Sequence, residues 1–271
     1  MRLIAGAFRY LIKNFLFIFV FAIIPSYFYA MSLEMNNIRA LTQNLLSGEA
    51  PEFGQLFTFI SFVYGRQWVF SLLCIALLIV CLPMLFGLIE KHMRIGIRSF
   101  RGIPGRFNTN VLPTIVLLFV LLAIYELWAL IASGLLYAET LLFGGVACTI
   151  VVVVTYLALL ALMCYIASVL LLWLPCQLIT GYSFMDALSY SNQLYVGQKG
   201  GLFLAVYLPC AAGAVLELLF IGVFGPSNVQ IPVFFVMELL FIVLLLYYCI
   251  LMFVAYFRLA GEERADLRKK Y

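Results

Sequence analysis

The chain has 271 residues, of which 66% are hydrophobic and 10% are charged, and its formal net charge is +4. An average soluble domain has about half apolar and a quarter charged residues, so a soluble core cannot absorb this much apolar surface. The composition therefore excludes an ordinary soluble domain and indicates a membrane protein. Basic residues that collect on the cytoplasmic side explain the small positive charge, which does not imply a nucleic acid partner.

Six apolar stretches meet or approach the length of about 20 residues that a membrane-spanning helix needs. They cover residues 15–33, 69–89, 111–134, 146–174, 201–224 and 231–257. We expect the first stretch to be an uncleaved helix, because its apolar run is longer than that of a secretory signal. The sequence thus predicts an all-α bundle with one six-helix transmembrane domain over residues 1–257 and a charged cytoplasmic tail over residues 258–271.

Lysine and arginine are distributed unevenly between the loops. If the N-terminus is cytoplasmic, only Arg39 and Arg66 fall in outer segments, and all other basic residues fall in inner segments. Such a bias between short loops is a strong indicator of orientation. Both termini are predicted to be cytoplasmic.

The outer segment after the first stretch has helical periodicity on both sides of a break. Its apolar residues recur at helical spacing before and after Ser47-Gly48-Glu49-Ala50-Pro51, where glycine and proline interrupt a helix. We expect two short helices lying on the outer surface. A lid over a cavity is the functional alternative to a loop that rests in the membrane interface.

The inner loop over residues 90–110 mixes basic and apolar residues. Its candidate lipid-contacting side chains are Lys91, Arg94, Arg98 and Arg101. A basic helix with interleaved apolar residues suits anionic lipid head groups, although the same charges serve as simple positive-inside anchors. His92, the only histidine, is expected to be solvated.

A third amphipathic helix is predicted between the fourth and fifth spans. Ser183 and Asp186 form a variant of the capping box at its start, and Gly197 supplies a stop at its end. We expect this helix to lie parallel to the inner membrane surface.

Two sets of residues carry a resemblance to known groups of proteins. The run Asp186-Ala187-Leu188, Ser191, Leu194, Gly197, Lys199 and Leu202-Phe203 resembles a signature of the membrane domain attached to some glycerophosphodiester phosphodiesterases. Over the whole chain, the motifs Glu90-Lys91-His92-Met93-Arg94, Tyr125-Glu126-Leu127-Trp128, Leu174-Pro175-Cys176 and Glu263-Arg264-Ala265-Asp266-Leu267 resemble uncharacterised bacterial six-helix membrane proteins. The resemblance implies a multi-pass protein of the bacterial plasma membrane, and it implies no assigned reaction, because it does not extend to the catalytic phosphodiesterase domain.

Three glutamates, Glu126, Glu217 and Glu238, lie inside apolar runs that contain no lysine or arginine. A carboxyl group at membrane depth is costly unless it is protonated, paired or facing water, so each is a candidate for substrate binding or a proton relay. Counted from the predicted outer helix ends, all three lie roughly 10–12 Å deep and could meet in one layer. Small neighbours indicate that Glu126 and Glu217 face the bundle. The alternative is a neutral, hydrogen-bonded packing role for each.

Two classes of function remain after these observations. The first is a carrier or permease for a small solute or lipid, and the second is an accessory or scaffold protein that acts by association, as a homo- or hetero-oligomer. No catalytic motif is present, so we expect no enzyme and no cofactor. The seven cysteines lack metal-ligand spacing, so we expect no zinc site, and we also expect no structural disulfide.

Overall fold

The structure, a computed structural model, describes residues 2–64, 67–224 and 230–267. The α-helices are α1 (Arg2–Ile18), α2 (Val20–Ser32), α3 (Met35–Ser47), α4 (Phe53–Ile60), α5 (Trp68–Ile95), α6 (Ile103–Leu142), α7 (Gly145–Leu170), α8 (Trp173–Thr180), α9 (Phe184–Val196), α10 (Lys199–Phe224) and α11 (Gln230–Leu259), and a 3₁₀ turn follows at Ala265–Leu267. The predicted all-α fold is confirmed. Every predicted apolar stretch lies in these helices.

Five segments are long and apolar enough to cross a membrane: α5, α6, α7 with its continuation α8, α10 and α11. The helices α1 and α2 form a sixth if the bent pair is one span. The chain is a multi-pass membrane protein with a helical bundle. We call the end of the bundle at which α5 stops and α6 begins the basic end. The opposite end, where α3 and α4 lie, is the hairpin end.

The first span differs from its prediction. A bend of 92° separates α1 from α2, so that only the 13 residues of α2 continue along the bundle. At 1.5 Å per residue α2 is about 20 Å long, shorter than the roughly 30 Å hydrocarbon core. The bend arises because α1 is amphipathic and buries Leu3, Ala7 and Tyr10 against the basic end.

The helix α2 packs closely on its neighbours through small residues. Ala22, Ser26 and Ala30 recur every four residues on one face and are almost completely buried. Small side chains let helix backbones approach, which is how membrane helices gain packing energy. On the facing helix α5, Ser71 and Cys74 are also fully buried.

The two predicted outer helices exist as α3 and α4, joined at Gly48, and we call them the α3–α4 hairpin. This hairpin packs against the bundle along one side of each short helix. Its buried contacts come from Ile38 and Leu41 of α3 and from Leu56 and Ile60 of α4. They pack against α6, α7 and α10. One side of each short helix is apolar and is covered by protein, and contact of the hairpin with the membrane interface remains a prediction.

The basic loop is not the helix that the sequence predicted. Lys91 and Arg94 belong to the last turns of α5, whereas Arg98 and Arg101 lie in the non-helical connection between α5 and α6. Gly96 ends α5 in the left-handed conformation with φ of +77°, which glycine adopts at little cost. The basic residues are thereby divided between two kinds of backbone.

The remaining inner elements follow their predictions more closely. Helix α9 begins after Ser183, whose hydroxyl accepts from the amide of Asp186 at 3.4 Å and donates to its carboxylate at 2.6 Å. The described part of the charged tail folds back, and Ala265 lies against the end of α5 beside Gly96. Arg264 and Asp266 form an ion pair of 2.8 Å within it.

Candidate functional site

Glu126, on α6, fastens the α3–α4 hairpin to the bundle. Its Oε2 accepts a hydrogen bond from the Ser61 hydroxyl at 2.7 Å, and its Oε1 accepts from the amides of Phe62 and Val63 at 2.8 and 3.1 Å. The neighbouring Tyr125 donates its hydroxyl to the carbonyl of Ile60 at 2.7 Å. Two adjacent residues of α6 therefore hold the end of α4.

Ser61 completes this fastening from the hairpin side. Its oxygen accepts hydrogen bonds from the amides of Val63 and Tyr64 at 3.2 and 2.8 Å, and its hydroxyl donates a hydrogen bond to Glu126. Backbone amides away from water need a partner, and here the chain has left its helix and cannot supply one. Ser61 and Glu126 together provide these acceptors. Nothing distinguishes Ser61 in the sequence from any other serine near a helix end.

A polar group lies beneath the end of the hairpin, and we call it the tyrosine cluster: Tyr29, Tyr125 and Tyr156 with Glu217 and Cys210. Tyr156 lies within electrostatic range of each of the other four. The cluster draws on α2, α6, α7 and α10. Four helices thus bring hydroxyl, thiol and carboxyl groups into one region of the bundle interior.

The hairpin lies directly against this cluster. The ring of Phe59 is 6.0 Å from that of Tyr156, and the ring of Phe62 is 5.8 Å from that of Tyr29. Tyr29 also stacks on Phe241 of α11 at 3.9 Å with an interplanar angle of 10°. Aromatic rings from the hairpin therefore cover the tyrosine cluster from the hairpin end.

The three sequence-predicted glutamates occupy different surroundings. Glu126 bonds the hairpin, Glu217 belongs to the tyrosine cluster, and Glu238 lies partly buried on α11. The predicted depth of Glu126 is counted from Gly134, whereas α6 continues eight residues further, to Leu142, so this depth remains a prediction. The apolar run Leu135-Leu136-Tyr137-Ala138 extends the helix past that glycine. A single layer of three carboxyl groups remains a prediction.

A cleft of 540 Å³ opens at the basic end between the start of α6 and the end of α8. Its polar lining consists of Glu90, Arg106, Thr109, Asn110 and Gln177. The sequence analysis missed this group, because Arg106 resembles one more positive-inside charge. The sequence signal that was available is the pair Glu90 and Arg106, an acid and a base 16 residues apart near the ends of two consecutive helices.

Arg106 is the central side chain of the cleft. Its Nη1 donates to Glu90 at 2.6 Å and to the carbonyl of Gly87 at 3.4 Å. Asn110 is held one turn away by donating to the carbonyl of Pro83 at 3.3 Å. In the described parts of the chain, Nε and Nη2 of Arg106 make no hydrogen bond. These two donors suit the oxygens of a carboxylate or phosphate.

The four predicted lipid-contacting residues are engaged to different extents. Lys91 donates to the carbonyl of Arg101 at 2.7 Å, Arg94 pairs with Glu90 at 3.4 Å, and Arg98 donates to His92 at 3.4 Å. The guanidinium of Arg101 lies in an exposed connection. Contact with anionic head groups remains a prediction for all four.

His92 is buried, which corrects the expectation that it is solvated. It is 4% exposed, and its Nδ1 shares a hydrogen bond of 2.8 Å with the hydroxyl of Tyr10. The guanidinium of Arg264 lies 5.6 Å from the centre of the Tyr10 ring. His92 therefore joins α5, α1 and the tail, and its position is explained by packing.

Comparison with known proteins assigns no family to the chain: no protein-family model, no curated protein and no solved structure matches it. All seven cysteines are present as free thiols. Within the described ranges, no group of three or more histidine, cysteine, aspartate or glutamate residues is placed to hold a metal ion. The hairpin fastening, the tyrosine cluster and the cleft are thus the features from which a function can be inferred.

Proposed function

We propose that this protein is a carrier for a small solute, in which the tyrosine cluster is the binding region and the α3–α4 hairpin is its outer cover. The observation that carries the proposal is the fastening of the hairpin by Glu126, which lies beside a polar cluster inside an apolar bundle. Ionisable groups inside a membrane bundle are costly and are by default candidates for a functional site. The basic end faces the cytoplasm of a bacterial cell in this proposal, following the distribution of lysine and arginine.

The chemistry of Glu126 supplies a means of opening. Three donors converge on one carboxylate, and hydrogen bonds to a charged acceptor contribute about 1.5–3 kcal/mol each, against about 1 kcal/mol for neutral pairs. One proton on Glu126 would therefore weaken all three bonds at once. Release of the hairpin then exposes the tyrosine cluster to the outer side.

The cleft at the basic end provides the second access route. It holds charged and polar side chains next to the first turns of α6, the helix that also carries Glu126. A carrier needs polar access from both faces of the membrane, in alternation. A tilt of α6 would couple the two ends. No step of this scheme requires catalysis.

The opening step can be tested with the native thiols. Cys210 belongs to the tyrosine cluster, and Cys164 interacts with Cys210. Cys176 and Cys249 lie elsewhere in the bundle. A membrane-impermeant maleimide is added to the outside of intact cells, and alkylation of each cysteine is followed by mass spectrometry. Glu126→Gln is expected to raise the rate at Cys210 several-fold and to leave Cys249 unchanged.

Glu139→Gln is the matched control for this experiment. Glu139 lies on the same helix and accepts from Thr155 at 2.7 Å, so its replacement removes a similar bond without touching the hairpin. A uniform rise in the alkylation rate at all thiols would indicate that Glu126→Gln unfolds the protein. In that case the same measurement is made on Glu126→Asp. An unchanged rate at Cys210 in a folded variant contradicts the opening step.

The solute itself can be sought in the purified protein. Small molecules that co-purify with the wild type and are lost from Glu217→Gln would identify the species bound at the tyrosine cluster. Loss of thermal stability without any change in the bound species would instead support a packing role for Glu217.

A second candidate function, association with another membrane protein, is favoured by one surface of α6. Leu127, Leu130 and Ile131 are exposed there, and the adjoining Gly134 has open space where a side chain would be. Such a surface lets another helix approach closely. If this surface binds a partner, Gly134→Leu will reduce the mass of the complex extracted in mild detergent. Identical masses would count against association.

A further inference from the structure

A cavity at the hairpin end has a volume of 770 Å³ and shares no lining residue with the tyrosine cluster. It is formed where α2 ends, where α3 and α5 begin, and along the first turns of α11. Sites for small organic ligands commonly have volumes of about 300–1,000 Å³. The cavity is large enough for an organic molecule of moderate size.

Aromatic rings form one wall of this cavity. Tyr27 meets Phe234 edge to face with ring centres 5.5 Å apart, and Phe234 meets Phe235 in the same manner at 5.6 Å. Tyr27 is 43% exposed and Phe235 is 60% exposed, so that their surfaces are accessible. The faces of such rings attract cations through their quadrupoles.

A carboxylate lies on the same cavity. Glu34 occupies the N-cap position of α3 but makes no capping hydrogen bond with its side chain. Gln67, the N-cap residue of α5, also lines the cavity without such a bond. Within residues 2–64, 67–224 and 230–267, no ion pair engages Glu34, and no lysine or arginine lines the cavity. Within these described ranges, no lysine or arginine side chain neutralises the negative charge of the lining.

We propose that this cavity binds an organic ammonium ion that carries an apolar group. The ammonium would lie between the carboxylate of Glu34 and the ring of Phe234, and the apolar group would pack on Tyr27 and Phe235. Ion pairing, cation–π attraction and apolar burial each favour the same ligand class, whereas an anion meets only repulsion from Glu34. The inference depends on this cavity alone and does not require the carrier function.

An ammonium group could come from a soluble amine or from a lipid head group such as ethanolamine or choline. Ile231 and Phe235, which line the cavity, are 72% and 60% exposed, so that a soluble amine and a lipid head group can both reach it. Both sources present the same chemistry to Glu34. A competition experiment separates them.

Calorimetric titration with benzyltrimethylammonium, with the protein in uncharged maltoside micelles, tests the proposal. We expect saturable binding to the wild type, no binding of the anionic benzenesulfonate, and a loss of affinity of about tenfold in both Glu34→Gln and Phe234→Leu. Glu49→Gln is the matched control, because it removes an equal charge near the other end of α3, outside the cavity, and it should bind like the wild type. Alkylation of Cys210 should not change in Glu34→Gln, which keeps this result separate from the test of the hairpin.

Competition then identifies the source of the ammonium. Weaker apparent binding after phosphatidylethanolamine is added to the micelles supports a lipid head group, and unchanged binding supports a soluble amine. Absence of saturable binding to the wild type overturns the proposal. So does equal affinity of the wild type and Glu34→Gln when both have the same melting temperature.

Discussion

Arg106 and Glu90 form an ion pair of 2.6 Å that joins the first turn of α6 to the last turns of α5. The two partners differ in burial, since the side chain of Glu90 is 7% exposed and that of Arg106 is 30% exposed. Arg94 reaches the same carboxylate at 3.4 Å but is 55% exposed. Glu90 is therefore the member of this group that depends most on its partners.

Replacement of Arg106 should destabilise the bundle more than replacement of Arg94. Arg106→Ala leaves the buried carboxylate of Glu90 with only Arg94, whose contact is longer and whose side chain is mostly exposed. We expect the free energy of unfolding to fall by about 2 kcal/mol. Arg94→Ala removes a largely exposed pair and should cost less than about 1 kcal/mol. Denaturant unfolding in the same detergent measures both values. The double variant Glu90→Gln with Arg106→Gln should recover part of the loss, and equal losses for the two single variants would contradict the assignment.

Ser61→Ala should loosen the end of the hairpin without unfolding the bundle. The variant loses one donor to Glu126 and the acceptor for the amides of Val63 and Tyr64. Hydrogen exchange at these two amides should become at least about tenfold faster, because the variant loses their bonds to Ser61, about 1 kcal/mol each, and the bond from Ser61 to the charged Glu126, about 1.5–3 kcal/mol. Ser47→Ala is the control, since its hydroxyl bonds only the carbonyl of Asn44 at an exposed position. Equal exchange in both variants would show that Ser61 does not hold the segment.

The extent of the long helices was predictable from the sequence because it depends on local composition. Runs of apolar residues determine which segments enter a membrane, and proline or glycine marks the connections. The bend at Phe19 was not predictable in this way. Residues 15–23 are all apolar and contain neither proline nor glycine, so the run looks continuous. The bend depends on the packing of α1 across α11, which is a tertiary effect.

Individual residues of the site were predictable from the sequence, but the contacts between them were not. The cost of a carboxyl group at membrane depth pointed to Glu126 and Glu217 without any knowledge of their neighbours. Their partners are distant in the chain, as Ser61 lies 65 residues from Glu126. Arg106 and Gln177 meet at one cleft for the same reason, through the packing of α6 and α8. A single sequence contains no signal for such pairings.

A larger side chain on the small-residue face of α2 should be strongly destabilising. Ser26 is completely buried, so Ser26→Leu forces α2 away from its neighbours and should cost about 1–3 kcal/mol. Ile23→Leu is the control on the same helix, because Ile23 is 38% exposed and the change conserves volume. Thermal unfolding of the two variants in one detergent distinguishes them. A melting temperature of Ser26→Leu equal to that of the control would show that the α2 face is loosely packed.

Gly48 should tolerate no side chain, whereas Gly54 in the same hairpin should tolerate one. Gly48 has φ of +76°, and a Cβ atom there would lie 3.0 Å from the backbone of Gly145. Gly48→Ala therefore combines a left-handed conformation, which costs about 1–2 kcal/mol, with a contact that only a backbone shift can relieve. Gly54 lies in α4 with open space around it, and Gly54→Ala should be neutral or stabilising by up to about 1 kcal/mol. Equal melting temperatures of the two variants would mean that the hairpin does not press against the start of α7.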